Sequence, residues 1–193
     1  MPIVFATHNQ NKLQEIQSLL PQHAVVSLQQ LNFTQDIPET GETLEENAFI
    51  KANTIFKAFV QAVFADDTGL EVTVLKGAPG VYSARYAGKK ANAEDNMQKL
   101  LGALDGAVDR SAQFRTAVAY INEKGQEFLF EGCVKGSILT KKTGGKGFGY
   151  DPIFKPIGYN QSFAQMSTEL KNKISHRGLA IQKLIQHLEH EKS

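Results

Sequence analysis

TLEENAFIKANTIFKAFVQAV, residues 43–63, constrains the fold more than any other segment. Thr43 and Glu46 make a T-x-x-E capping box, in which side chains answer backbone N–H groups that a helix start leaves without partners. Behind it Leu44, Ala48, Ala52, Ile55, Phe59 and Val63 fall on one apolar stripe about five turns long, which predicts an amphipathic helix that must bury one face. VFADDTGLEVTVL overlaps its end and carries the chain on. Its apolar start predicts a buried strand, Asp66 to Gly69 an acidic turn, and Leu70, Val72 and Val74 an alternating return strand. A helix feeding straight into a buried strand points to an α/β fold.

The remaining segments agree. PIVFA, residues 2–6, gives way to THNQNK and then to KLQEIQSLL, where Leu13, Ile16 and Leu20 recur at helical spacing. The pattern predicts strand, polar turn, helix. AVVSL at 24–28 predicts a second strand, followed by a loop ending in PETGET. GAPGVYSARYAG, residues 77–88, is a loop by its glycines and Pro79. ANAEDNMQKLLGAL predicts a helix capped by Asn92, with Met97, Leu100, Leu101 and Leu104 on one side. QFRTAVAYIN and QEFLFEGCVKGSIL are β-branched or aromatic and join through EKG, which favours an antiparallel hairpin. Ile181, Leu184, Ile185 and Leu188 mark a terminal amphipathic helix. With no internal repeat or flexible linker, the expected architecture is one α/β domain around a mixed sheet, drawn out into a second lobe by the hairpin near 110–140.

A chain of 193 residues with 41% hydrophobic and 21% charged side chains can bury a core of its own. A net charge of +1 argues against a duplex-DNA binder, whose backbone-tracking face needs a larger basic excess. Charge is uneven: residues 1–100 carry 8 basic and 11 acidic side chains, net −3, and residues 101–193 carry 13 and 9, net +4. Such halves suit a metal-bound polyphosphate, and they also arise by chance at this length. Cys133 is the single cysteine, so neither an intrachain disulfide nor a CxxC redox pair can form. MPIVFATHNQNK lacks the basic segment of a signal peptide, and no run nears the ~18 apolar residues of a membrane span, so a cytoplasmic setting is expected.

Several places carry side chains suited to chemistry. THNQNK puts Thr7, Asn9 and Lys12 where a buried strand gives way to a helix. Backbone N–H groups there welcome an anion, with Thr7 adding a hydroxyl and Lys12 a mobile charge. The competing account is a plain helix cap at Thr7 or Asn9 and a solvated Lys12. In ADDTG, adjacent Asp66 and Asp67 point opposite ways on an extended chain, so one of them faces any given cleft. A metal ligand or a base acting on water would justify a buried carboxylate; an Asx turn ahead of Gly69 would use the same residues without a ligand. The helix dipole explains Glu45 and Glu46, which leaves Glu39, outside the cap, as either a functional carboxylate or a plain surface one. NKISHRG sets His176 beside Arg177, five residues after Lys171, either as ligand-binding groups or as a helix start.

Zinc hydrolysis and serine catalysis find no support. His8, His23, His187 and His190 make no H-E-x-x-H, and Ser83 and Ser137 have no G-x-S-x-G around them. KKTGGKGFGYDP, residues 141–152, resembles half a phosphate loop, but Phe148, Gly149, Tyr150, Asp151 and Pro152 interrupt any helix after it. Gly147 and Gly149 let the backbone hold the Phe148 ring close to a planar ligand, and Asp151 offers acceptors to ring N–H or amino groups. This stretch therefore reads as a pocket for a base rather than a grip on phosphate.

Six blocks, THNQNK (7–12), PETGETLEENAFIKA (38–52), ADDTGLEV (65–72), GAPGVYSARYAG (77–88), GGKGFGYDPIF (144–154) and ISHRG (174–178), occur in an order that resembles the non-standard purine nucleoside triphosphate pyrophosphatases, the inosine/xanthosine triphosphatase family. The likeness spans essentially the whole chain. It implies an elongated two-lobed α/β fold around a central mixed β-sheet with flanking helices, and an active-site cleft between the lobes. It also implies a Mg2+-dependent homodimer acting on a small nucleoside triphosphate, not on nucleic acid or membrane. The implied reaction is hydrolysis of ITP, dITP or XTP to the monophosphate and pyrophosphate, which keeps such nucleotides out of DNA and RNA. By match of motif, Thr7, His8, Asn9, Gln10, Asn11 and Lys12 would wrap the triphosphate. Glu39 and Asp67 would hold Mg2+, with Asp67 also the proton acceptor for the attacking water. Thr68 would touch the substrate, Phe148, Gly149, Tyr150 and Asp151 would enclose the base, and Lys171, His176 and Arg177 would complete the pocket. His8 stands where the family commonly has a small residue. The alternatives are a house-cleaning pyrophosphatase for other modified nucleotides and a non-catalytic nucleotide- or RNA-binding module.

Overall fold

A computed structural model describes residues 2–191. Strand β1 (Ile3–Phe5) lies between β2 (Val25–Ser27) and β3 (Val63–Val72), parallel to both, with Phe5 opposite Ser27 on one side and Phe64 on the other. The Phe5 and Phe64 rings stack with centroids 4.6 Å apart. The sheet continues from β3 through β5 (Ser111–Ile121) and β6 (Glu127–Ile138) to β7 (Phe154–Pro156), while β4 (Pro79–Gly80) pairs with β3. The β3–β4 and β6–β7 pairs are antiparallel, so the sheet is mixed, as expected. The hairpin turn between β5 and β6 is closed by Asn122 N–H donating to Gln126 O at 3.1 Å.

Helix α1 (Gln10–Leu19) links β1 to β2, and α2 (Leu44–Phe59) leads into β3. The others are α3 (Ala93–Ala103), α4 (Thr168–Ile174) and α5 (His176–His190). No helix among the described residues is long and apolar enough to cross a membrane. The start of α2 follows its sequence: Glu46 N–H donates to Thr43 Oγ1 at 3.1 Å, and Thr43 N–H donates to Glu46 Oε2 at 3.3 Å. Its end comes earlier than the apolar stripe suggests. Val60 adopts a left-handed conformation, φ 51°, and Val63 opens β3. A helix face and a buried strand both demand apolar residues, so the spacing carries across a junction that it cannot reveal.

A second difference falls at Asp66–Gly69, where the sequence predicts a turn. β3 runs unbroken through these residues. Asp and Thr make turns by answering nearby backbone N–H groups. Here the carboxylates of Asp66 and Asp67 are paired with cations from distant segments, and the backbone stays in its ladder.

Contacts divide the chain into two compact units. The first holds the residues up to Asp67, the hairpin tip Thr116–Gly132 and the chain from Arg177 on; the second holds Thr68–Arg115 and Cys133–His176. In the first, Ile3, Phe5, Ile16, Phe64, Val118, Ile181 and Leu184 share one core. They come from β1, α1, β3, β5 and α5, so a single apolar cluster fixes the elements that carry Lys12, Asp66 and Arg177. Burying each large apolar side chain contributes roughly 1.5–3 kcal/mol to holding these elements together. In the second unit Leu70, Val72, Leu100, Phe114, Tyr150, Phe154 and Phe163 form the core and lock the strand after Asp67 to the 141–152 loop.

Candidate active site

In the first unit Asp66, only 1% exposed, lies between two cations. Lys12 Nζ is 3.0 Å from Oδ1 and Arg177 Nε 3.0 Å from Oδ2. Arg177 Nη1 also donates to Glu15 Oε2 at 2.5 Å. Burial pushes the Asp66 carboxyl up, but Lys12 and then Arg177 outweigh it and hold it well below the usual carboxylate range. For Lys12 the balance is reversed: burial lowers its pKa despite the attraction of Asp66. A solvated Lys12 is thus ruled out.

The cap foreseen at the start of α1 does form. Asn9 Oδ1 accepts from Asn11 N–H at 3.0 Å and from Lys12 N–H at 3.2 Å, and Thr7 Oγ1 accepts from Asn9 N–H at 3.1 Å. Of the plain-cap account of THNQNK, the Asn9 cap therefore forms and occupies two helix-start donors, while the Lys12 ammonium is paired with Asp66 rather than solvated. Gln10 and Asn11 are exposed in the first turn of α1. His8 is exposed too, and its Nε2 donates to Gln35 O at 3.0 Å.

Asp67, the next residue of β3, has other partners. Its Oδ1 is 3.6 Å from Lys51 Nζ, and its Oδ2 accepts from Asn47 Nδ2 at 3.1 Å. Lys51 Nζ donates to Glu39 Oε1 at 2.6 Å, so two carboxylates from separate segments share one ammonium. Burial holds the Asp67 carboxyl above the usual range, with Lys51 opposing it incompletely. Burial also pulls Lys51 down, but Asp67 and Glu39 outweigh that effect and raise it.

Sequence reasoning missed Lys51 and Asn47. The signal was available: both sit on the buried face of α2 with Leu44, Ala48, Ala52 and Ile55, polar residues at core positions. Among the described residues no three His, Cys, Asp or Glu side chains gather as a metal site. Two carboxylates converging on one cation are nonetheless the donor set that Mg2+ uses when phosphates and waters supply the rest. Glu39 and Asp67 fit that ion.

In the second unit Asp151 Oδ2 accepts from Phe148 N–H at 2.9 Å and from Lys171 Nζ at 2.6 Å. The same ammonium lies 5.0 Å from the Phe148 ring centroid, within cation–π range. Gly147 makes this possible, because its φ is 74° and a Cβ there would collide with Asp151 Oδ2. Tyr150 O–H donates to the Ser83 carbonyl at 2.8 Å, while Ser83 Oγ accepts from Leu70 N–H at 2.9 Å and donates to Gly80 O at 2.6 Å. GAPGVYSARYAG thereby gains a task that its sequence did not disclose: it braces the Phe148–Asp151 loop against the strand that follows Asp67. His176 stacks on Phe114 at 4.4 Å, which fixes the imidazole plane.

Comparison with known proteins decides the family. The Ham1 family model matches residues 3–187. This chain belongs to the Ham1 family. It is 54% identical over 189 residues to the dITP/XTP pyrophosphatase of Christiangramia forsetii, covering 97% of this chain and 99% of that protein. It is 52% identical over 186 residues to the dITP/XTP pyrophosphatase of Flavobacterium johnsoniae, covering 96% of each. Among solved structures, the Staphylococcus aureus Ham1 protein superposes with a TM-score of 0.90 at 42% identity, over 99% of this chain and all 100% of that one. The HAM1 protein of Coxiella burnetii gives 0.89 at 39% identity, over 98% and 99%.

As a Ham1-family chain, the protein has the expected α/β fold around a mixed sheet. Its predicted site residues fall into two groups. Thr7, His8, Asn9, Gln10, Asn11, Lys12, Glu39, Asp67 and Arg177 belong to the first unit, and Thr68, Phe148, Gly149, Tyr150, Asp151, Lys171 and His176 to the second.

Proposed function

We propose that this chain hydrolyses dITP, ITP and XTP to the nucleoside monophosphate and pyrophosphate with Mg2+ as cofactor. The observation that carries this reading is the Glu39–Asp67 pair drawn onto one ammonium, in a chain 54% identical to a protein named dITP/XTP pyrophosphatase. When bound, Mg2+ supplies positive charge against the triphosphate and eases deprotonation of water.

The chain's own residues do the rest. Glu39 and Asp67 hold the ion, and Asp67 takes the proton of the water that attacks the α-phosphorus as pyrophosphate leaves. Thr7, His8, Asn9, Gln10, Asn11 and Lys12 wrap the triphosphate. Asp66 and Glu15 keep Arg177 charged and oriented. No covalent intermediate is required, in keeping with a sequence that offers no activated nucleophile.

Recognition of the base falls to Phe148, Gly149, Tyr150 and Asp151, with Phe148 stacking on the purine and Asp151 holding Phe148 and Lys171 in place. Thr68 contacts the substrate beside Asp67. A 6-oxo group accepts a hydrogen bond from His176 or Arg177, whereas the 6-amino group of adenine presents donors of its own. Each buried mismatch of this kind costs about 1–3 kcal/mol. The enzyme works on the free cytoplasmic nucleotide pool as a homodimer, a reading that rests on the family resemblance.

The test is a panel of ITP, dITP, XTP, ATP, GTP and modified pyrimidine triphosphates with Mg2+, reading both products. Equimolar monophosphate and pyrophosphate from the first three, with little from ATP, is expected. Orthophosphate release would overturn attack at the α-phosphorus, and binding without consumption would favour a binding module.

A further inference from the structure

We infer that Asn47 is a positioning residue of the catalytic centre, fixing the Asp67 carboxylate and the Glu39 loop against one another before metal or substrate arrives. The inference rests on the reading of Glu39 and Asp67 as the metal-holding pair. Asn47 is fully buried, at 0% exposure, in the first turns of α2. Its Nδ2 donates to Asp67 Oδ2 at 3.1 Å, and its Oδ1 accepts from Gly41 N–H at 2.8 Å. A carboxylate only accepts and a backbone N–H only donates, so these partners fix which way the amide lies. Aspartate would lack the donor and leucine would lack both groups.

Two consequences follow from that geometry. First, the Asp67 oxygens are divided, with Oδ2 given to Asn47 and Oδ1 facing Lys51. Asn47 thereby selects the oxygen presented where a cation sits. Second, the loop bearing Glu39 is stitched to α2 by two adjacent side chains. Glu46 Oε2 accepts from Glu42 N–H at 2.6 Å, one residue beyond the Gly41 N–H held by Asn47. The loop passes so close that a Cβ on Gly41 would lie 2.6 Å from Glu46 Cβ and 2.9 Å from Asn47 Oδ1. A core asparagine whose only task is its own satisfaction needs no such link between two functional carboxylates.

The experiment compares wild type with Asn47→Ala and Gly41→Ala, the second of which disturbs the same contact from the loop side should the first fail to fold. Mn2+ binding is followed by electron paramagnetic resonance on the full chain, and kcat and KM are measured with ITP. Loss of a residue that orients metal ligands typically costs about 10–100-fold in affinity or rate. Both variants are therefore expected to bind Mn2+ about tenfold or more weakly and to lose kcat to a similar degree, with KM for ITP within about twofold of wild type. Wild-type Mn2+ affinity and kcat in a folded variant, or no Mn2+ uptake by the wild-type chain, would overturn the inference. If the wild type takes up Mn2+ but leaves ITP intact, the pyrophosphatase reading fails, while the Mn2+ titrations still decide the role of Asn47.

Discussion

Asp66 and Asp67 are neighbours on β3, yet their carboxylates serve different cations: Lys12 and Arg177, each at 3.0 Å, for Asp66, and Lys51 at 3.6 Å for Asp67. Strand geometry sends adjacent side chains to opposite faces. The first carboxylate is held by two close pairs and suits a structural task, while the second keeps a longer pair and a raised pKa, which suit chemistry.

Asp66→Asn removes the counter-charge common to Lys12 and Arg177. Breaking a buried pair from one side costs about 3–5 kcal/mol, and urea unfolding at neutral pH is expected to show a loss of that size. Because the folded-state pKa of Asp66 lies below its ordinary 3.8, its contribution is full above that value and is lost as pH falls below it. Wild type should therefore lose stability more steeply than Asp66→Asn under acid. Parallel curves would refute this account of the cluster.

Asp67→Asn is expected to lower kcat by about 10²–10⁴, the usual worth of a positioned base. The fold should survive. Burial raises the Asp67 pKa, so the ionised carboxylate is a burden on the folded state above that pKa, and a neutral amide relieves it. A melting temperature at neutral pH no lower than wild type, together with loss of turnover, is the expected pair of results. A wild-type rate would remove Asp67 from the chemistry.

Lys51→Met takes away the ammonium that Glu39 and Asp67 share. The two carboxylates then face each other without it, and a divalent cation that binds the folded state gains stabilising power. Added Mg2+ should raise the melting temperature of this variant more than that of wild type. Equal or absent shifts in the two proteins would count against the carboxylate pair as the cation site.

Phe148→Ala is expected to raise KM for ITP with a smaller effect on kcat, since base stacking on an aromatic ring is worth about 1–3 kcal/mol. An unchanged KM would remove the ring from base binding.

Gly147→Ala should act on the same parameter without touching the ring. Its Cβ would displace Asp151, releasing Phe148 N–H and Lys171 together. If KM stays at the wild-type value, the Asp151 clasp is not what shapes the base wall.

What the sequence determined by itself is local or whole-chain in character. The capping box of α2 joins Thr43 to Glu46 three positions on, the Asn92 cap of α3 is as local, and both form as their sequences dictate. The 110–140 hairpin was equally legible, because its turn and its strand composition are contiguous. So was the family, because six ordered blocks leave little room for coincidence. Tertiary structure decided the rest. Whether ADDTG would turn or stay extended depended on Lys12 and Arg177, separated from Asp66 by 54 and 111 residues. Whether GAPGVYSARYAG had a task depended on Tyr150, 67 residues from Ser83. A buried charge takes whichever opposite charge the core brings within reach, and that choice is made by packing rather than by neighbours in the chain.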